Sequence, residues 1–229
     1  MRGTLYHIMK KILLITLLFV VEISFGQKNE IEKLLIEGNQ SYQNSDFETA
    51  KLKYESIIKI DSTNKDALFN LAGTELSLGN SKTACSLLQK SYSLGDFGAY
   101  DLIKQYCDEL KYSEQMFLFH VDELPKFKFK TNFEPLIVKQ RQINPKYIKL
   151  LNSEIKKSTS LKRIKGKVYI TINVDINGIL ITNIKGKLSD TQKSEFENIL
   201  NQMTEYKPAT FKGMNVGLFG GGFTLPLTL

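Results

Sequence analysis

Side chains suited to thiol or imidazole chemistry are few in this 229-residue chain: Cys85, Cys107 and His120, the only histidine beyond the first 26 residues. Zinc sites bring ligands in pairs two to five residues apart, and two cysteines 22 positions apart with one distant histidine do not form such a set. The chain carries no Gly-x-Ser-x-Gly elbow, no His-Glu-x-x-His pair and no phosphate-cradling glycine motif ending in Lys-Ser/Thr. Gly220–Gly222 is not followed by a helix start, so it does not read as a nucleotide loop. The expectation is a chain that is not an enzyme, with no catalytic residue, no metal and no cofactor. What remains for the cysteines is a structural role, which depends on the elements that carry them.

Those elements show a period of 34. Leu34, Gly38, Ala50, Tyr54 and Asp61-Ser62 align with Leu68, Ala72, Ala84, Leu88 and Gly95-Asp96. Small residues at fixed positions let paired helices approach, larger apolar ones fill the space between them, and Asn44-Ser45 and Gly79-Asn80 fall where the pairs turn. The pattern resembles tetratricopeptide repeats over about residues 29–110. Asp96 reads as the N-cap of a fifth helix carrying Ala99, Leu102, Ile103 and Tyr106 at helical spacing. If residues 81–94 and 97–109 are antiparallel neighbours turning near Gly95, Cys85 and Cys107 face each other. An oxidising compartment then allows a disulfide; two separately buried thiols are the other reading.

Compartment is addressed by the N-terminus. Lys10 and Lys11 precede a ten-residue apolar run, Ile12–Val21, followed by Ser24, Gly26 and polar Gln27. This is the three-part pattern of a secretory signal, and the run is short of the roughly 20 residues that span a bilayer. Residues 1–26 are therefore expected to be a cleaved signal peptide and the mature protein periplasmic, with translation starting at Met9. The alternative is a retained inner-membrane anchor from Ile12 to Phe25, interrupted by Glu22. No cysteine in this stretch offers a lipid attachment point.

Net charge is +7, unevenly spread. Residues 27–110 hold nine lysines against thirteen acids, whereas residues 126–167 hold thirteen Lys/Arg against only Glu134 and Glu154. Such a block attracts nucleic acid or anionic surfaces alike. Export removes nucleic acid as a partner and leaves a weak contact with an anionic surface, or a solvated basic face.

The last hundred residues read as a small α/β unit. Lys167–Val174 alternates with period two, Asn177-Gly178 suits a tight turn, and Ile179–Ile184 returns. Asn144 and Pro145 begin a helix with Ile148, Leu151 and Ile155 on one face; Ser189 caps another carrying Phe196, Ile199, Leu200 and Met203. Phe223–Leu229 is a last strand, placed at a sheet edge by Pro226, and Gly217–Gly222 reads as a loop or bulge before it.

The order helix, strand, strand, helix, strand resembles the C-terminal domain of TonB over about residues 119–229. Val121-Asp122-Glu123-Leu124-Pro125-Lys126-Phe127 is similar to that family's lead-in, Gly166-Lys167-Val168-Tyr169 to its first strand, and Asp175-x-Asn177-Gly178 to its hairpin. Tyr206-Lys207-Pro208-Ala209, with Gly213 and Val216 following, is similar to its Trp/Tyr-x-Pro-Ala segment, and Phe223-Thr224-Leu225-Pro226-Leu227 to its closing strand. Tyr206 stands where Trp is commoner, and no proline-rich spacer precedes the domain.

The expected architecture is thus a signal peptide (1–26), tetratricopeptide-like helical hairpins (27–110), a linker and lead-in (111–143), and a TonB-C-terminal-like α+β domain (144–229) with a three-stranded antiparallel sheet and two helices. The resemblance implies edge-strand pairing with a peptide of an outer-membrane TonB-dependent receptor. Partner-binding candidates are Tyr206, Lys207, Pro208, Phe223, Thr224, Leu225 and Leu227; the other reading, favoured for each single residue, is that Tyr206 and Pro208 pack the turn and the last strand completes the sheet. A second protein partner is expected on the helical repeats. With the signal cleaved the chain reads as a periplasmic adaptor; with it retained, as a membrane-anchored energy transducer.

Overall fold

A computed structural model describes residues 26–138 and 142–228. The expected signal run Ile12–Val21 and the anchor Ile12–Phe25 lie outside the described residues. Among those described, no helix is long and apolar enough to cross a membrane. The chain divides into two compact units between Leu110 and Lys111, the first helical and the second a mixture of helices and small sheets.

The first unit contains α1 (residues 26–43), α2 (Phe47–Ile60), α3 (Lys65–Ser77), α4 (Ser81–Ser93) and α5 (Ala99–Tyr106). Starts are set locally: Asp46 accepts from the Thr49 amide at 3.1 Å and Asn64 from the Ala67 amide at 3.0 Å, each satisfying an orphan donor of the first turn. The 34-residue period has a steric basis. A Cβ at Gly38 would lie 2.7 Å from the Tyr54 ring, so the absence of a side chain is what lets α1 close onto α2. Ala50, Tyr54, Ile57, Ala67 and Leu71 form the buried seam with Ile31, Leu34 and Leu35 of α1 packed on it. Asp96 is not the cap of α5: its carboxylate takes the Gly98 amide at 2.9 Å and the Ser91 hydroxyl at 2.9 Å, fixing a turn, and the helix runs over Ala99–Tyr106 rather than 97–109.

The second unit begins with β1 (Gln115–Met116), β2 (Lys126–Phe129), β3 (Asn132–Pro135), β4 (Ile137–Val138) and β5 (Gln142–Ile143). Residues 111–143, expected as linker and lead-in, are therefore strand-bearing and part of this unit. Then come α6 (Pro145–Lys157), β6 (Lys167–Val174), β7 (Leu180–Lys185), α7 (Asp190–Gln202), β8 (Tyr206–Lys207), β9 (Ala209–Phe211), β10 (Met214–Leu218) and β11 (Phe223–Thr228). Asn144 and Pro145 open α6, and Ser189 with Gln192 forms a reciprocal capping box on α7. The expected three-stranded antiparallel sheet is present in the order β11-β6-β7, with β11 at an edge. Two further three-stranded sheets, β3-β2-β8 and β1-β10-β9, and the ribbon β4-β5 accompany it.

The core is built from the even-numbered residues of β6, from Leu225 and Leu227 of β11, from Tyr147, Leu151 and Ile155 of α6, and from Phe196 and Leu200 of α7. Two turns differ from expectation. In the β6–β7 hairpin only Gly178, at φ +81°, is left-handed, not Asn177, and the Asp175 carboxylate accepts the Asn177 and Ile179 amides to close the turn. Gly217 and Leu218 are not loop residues: they sit in β10, paired parallel with Gln115 and Met116. The turn proper is confined to Phe219–Gly222.

Candidate partner-binding surfaces

Edge strands bind by offering unpaired backbone groups, so the first question is which residues of β11 do so. The Asp175 amide donates to Ile179 in the hairpin at 2.9 Å, which turns the odd-numbered residues of β6 toward β7. With a backbone period of two, Val168, Ile170 and Ile172 then face β11, and their partners Leu227, Leu225 and Phe223 use their amides and carbonyls inward. Thr224, Pro226 and Thr228 are left with backbone turned to the open side. Pro226, which has no N–H, thus costs the ladder nothing. Thr224 is further fixed by a 2.9 Å hydroxyl contact with Thr171.

The seven predicted partner residues separate accordingly. Leu225 and Leu227 are 5% and 6% exposed and belong to the core, so their side chains do not touch a partner. Thr224 is exposed and Phe223 half-buried, packed on the core. Tyr206 and Lys207 lie in a different sheet, where β8 pairs with β2, Pro208 follows them between β8 and β9, and none of the three shares a ladder with β11. Pro208 and the Tyr206 carbonyl instead meet the β6–β7 turn, close enough that a Cβ on Gly178 would lie 3.1 Å from that carbonyl. The Lys207 ammonium sits 4.2 Å from the centre of the Phe133 ring, a cation–π contact.

Tyr206 has an inward task, the packing role that its motif left open. Its hydroxyl donates to the Leu200 carbonyl at 2.8 Å, closing the end of α7, and lies 3.0 Å from the hydroxyl of fully buried Tyr147. Burial pushes the Tyr206 phenol up to about 12 and raises that of Tyr147 as well, with the neighbouring phenol adding to the latter. The sign for stability follows: below about pH 10 both phenols are neutral folded or unfolded, and above it only the unfolded chain can ionise them freely. Stability is expected to fall from about pH 10 through 12. A urea midpoint for Tyr147→Phe that drops between pH 8 and pH 11 as much as that of the unaltered chain would contradict this.

The first unit offers a groove of about 270 Å³. Its polar side is Asn39, Gln43 and Asn70, and Tyr42, Phe69 and Leu102 supply apolar surface. The Tyr54 hydroxyl donates to Asn39 Oδ1 at 2.7 Å and Asn70 Nδ2 donates to the same oxygen at 3.2 Å, so the Asn39 side chain is held in place on the groove wall by its oxygen. The 34-residue alignment put Asn39 next to Gly38 and Asn70 two positions before Ala72, but marked only the packing positions. The groove-facing positions next to them were the signal that sequence reading passed over.

Cys85 and Cys107 are disulfide-bonded, with Cα atoms 5.7 Å apart, and the bond ties α4 to the C-terminal residue cap of α5. Among the described residues no group of three His, Cys, Asp or Glu side chains is placed to hold a metal ion.

No protein-family model matches the chain, and none of the curated proteins is significantly similar to it.

Proposed function

We propose that this chain is an exported protein-binding adaptor, whose second unit is a TonB-C-terminal-like domain that takes an extended peptide on the free edge of β11 and whose helical unit, a pair of tetratricopeptide-like hairpins with a fifth helix, holds a second protein partner. The carrying observation is the open backbone of Thr224, Pro226 and Thr228 on a strand whose other residues are locked inward. The succession α6, β6, β7, α7, followed after the short strands β8, β9 and β10 by β11, which pairs back onto β6, supports the family resemblance. The amide groups of Asn39, Gln43 and Asn70 suit the carbonyls of an extended segment, which supports the role of the groove. A receptor peptide of the outer membrane is the partner that the resemblance implies for β11.

Thr224→Pro removes one outward N–H and leaves the β6 ladder in place, whereas Thr224→Val keeps that N–H. In cells carrying a photo-crosslinking side chain at Thr228, adducts with an outer-membrane receptor are expected. Thr224→Pro should reduce them about tenfold, the worth of one backbone hydrogen bond, and Thr224→Val should not. Equal adduct yields for both variants, or no receptor adduct, would refute edge pairing. Export is tested separately, by the intact mass of the native protein in the soluble periplasmic fraction, where a start near Gln27 is expected.

A further inference from the structure

The basic block of residues 126–167 is not one surface. Four of its lysines before residue 158 are paired with carboxylates: Lys126 with Glu123 at 3.0 Å, Lys128 with Glu205 at 2.5 Å, Lys146 with Glu134 at 2.6 Å and Lys157 with Glu154 at 2.7 Å. Past α6, Lys162, Arg163, Lys165 and Lys167 are exposed and make no ion pair among the described residues. The antiparallel register then adds two cations from outside the block. Lys185 comes opposite Tyr169, and Gly186 lies so close to the start of β6 that a Cβ there would be 3.2 Å from the Lys167 carbonyl. Lys187 follows directly, and with Lys165 and Lys167 it lines a concavity of about 310 Å³.

Six unpaired cations at one end of a sheet repel one another, and an anion seated between them relieves that repulsion. The carboxylate beside this segment, Glu195, is held by Ser158 and Ser160, whose hydrogen bonds lower its pKa; it is occupied by hydroxyls rather than by the lysines. The lining cations are all ammonium groups, compact point charges with rotatable donors. They suit a multiply charged tetrahedral group approached from several sides, and no planar guanidinium is present in the lining to fork onto a carboxylate.

We propose that Lys165, Lys167 and Lys187 form a binding site for a phosphate group, with Lys162, Arg163 and Lys185 supplying attraction at longer range. A phospholipid headgroup and a soluble phosphate compound share this chemistry. The site is independent of β11 edge pairing and stands or falls separately from it.

The test uses the full chain with two probes: inorganic pyrophosphate by calorimetry, and co-sedimentation with vesicles of equimolar phosphatidylglycerol and phosphatidylcholine. Lys165→Gln/Lys167→Gln/Lys187→Gln is compared with Lys82→Gln/Lys90→Gln/Lys104→Gln, which removes equal charge from the helical unit, and both are checked for folding by circular dichroism. The first triple should weaken binding about 100-fold and the second less than about threefold. Pyrophosphate binding without vesicle binding identifies a soluble ligand; vesicle binding that pyrophosphate displaces identifies a headgroup. Either outcome supports the site. No binding of either probe, equal loss in both triples, or a polyglutamate peptide held as tightly as pyrophosphate would overturn it.

Discussion

Gly222→Ala is expected to cost the second unit roughly 3 kcal/mol or more and to loosen β11 from the sheet. Gly222 has φ +100°, and a Cβ there would sit 2.2 Å from the Ile172 carbonyl oxygen and 2.7 Å from its carbon. Those atoms are backbone in the central strand β6, so no rotamer change relieves the overlap. Either β6 moves or the chain entering β11 does, and with it Phe223, Leu225 and Leu227 leave the core. Gly221 is the internal control: at φ +71° with nothing within 4 Å of its would-be Cβ, Gly221→Ala meets only the left-handed penalty of about 1–2 kcal/mol. Urea unfolding of the three proteins checks this. Equal midpoints for the two alanine variants would show that the Ile172 contact does not govern the approach of β11. Because edge pairing needs β11 in place, Gly222→Ala should also abolish the receptor adducts at Thr228.

The second large effect concerns the first unit. Replacing Cys85 and Cys107 together by alanine, or reducing the bond, should lower its stability by about 3 kcal/mol, the value expected for closing a loop of some twenty residues in the unfolded chain. The last element is the one exposed to that loss. α5 is eight residues long, well below what is stable alone, and has no side-chain cap at its start. Its hold is Ile103 and Ala99 in the core, the Cys85–Cys107 bond, and the Gln89 side chain donating to the Glu109 carbonyl at 2.8 Å. Limited proteolysis should therefore cut residues 99–110 first in the alanine variant, with residues 26–93 surviving longer. A variant that melts and is cleaved like the unaltered chain would show that packing alone carries α5. Leu102, on that helix, forms part of the groove, so groove binding should weaken in parallel.

Helix starts, the long hairpin and the candidate cross-link were legible because their causes are local. Asn144, Pro145 and Ser189 act within three residues of themselves, Lys167–Val174 declares its two faces by alternation, and the 34-residue period marks Gly38 as a close-approach position and Tyr54 as a filling one. The disulfide was readable to the extent that two neighbouring antiparallel helices bring their cysteines to one level.

The sequence by itself could not specify what depends on distant pairing. Strands of two to four residues such as β1, β2 and β8 carry no periodic signal, and their existence is a consequence of partners far along the chain: Tyr112 reaches the carbonyl of Asn215, 103 positions away. That is why residues 111–143 read as a linker and why Gly217-Leu218 read as a loop. The same distance left open whether Tyr206, Leu225 and Leu227 face a partner or pack inward. A motif names a residue type, whereas burial against Tyr147 and α7 decides whether it faces a partner or the core. Charge behaves likewise. Composition found the basic block, but only tertiary contacts paired four of its lysines with carboxylates and carried Lys185 and Lys187 to its far end, because ion pairing acts over a few ångströms of space and is indifferent to order along the chain.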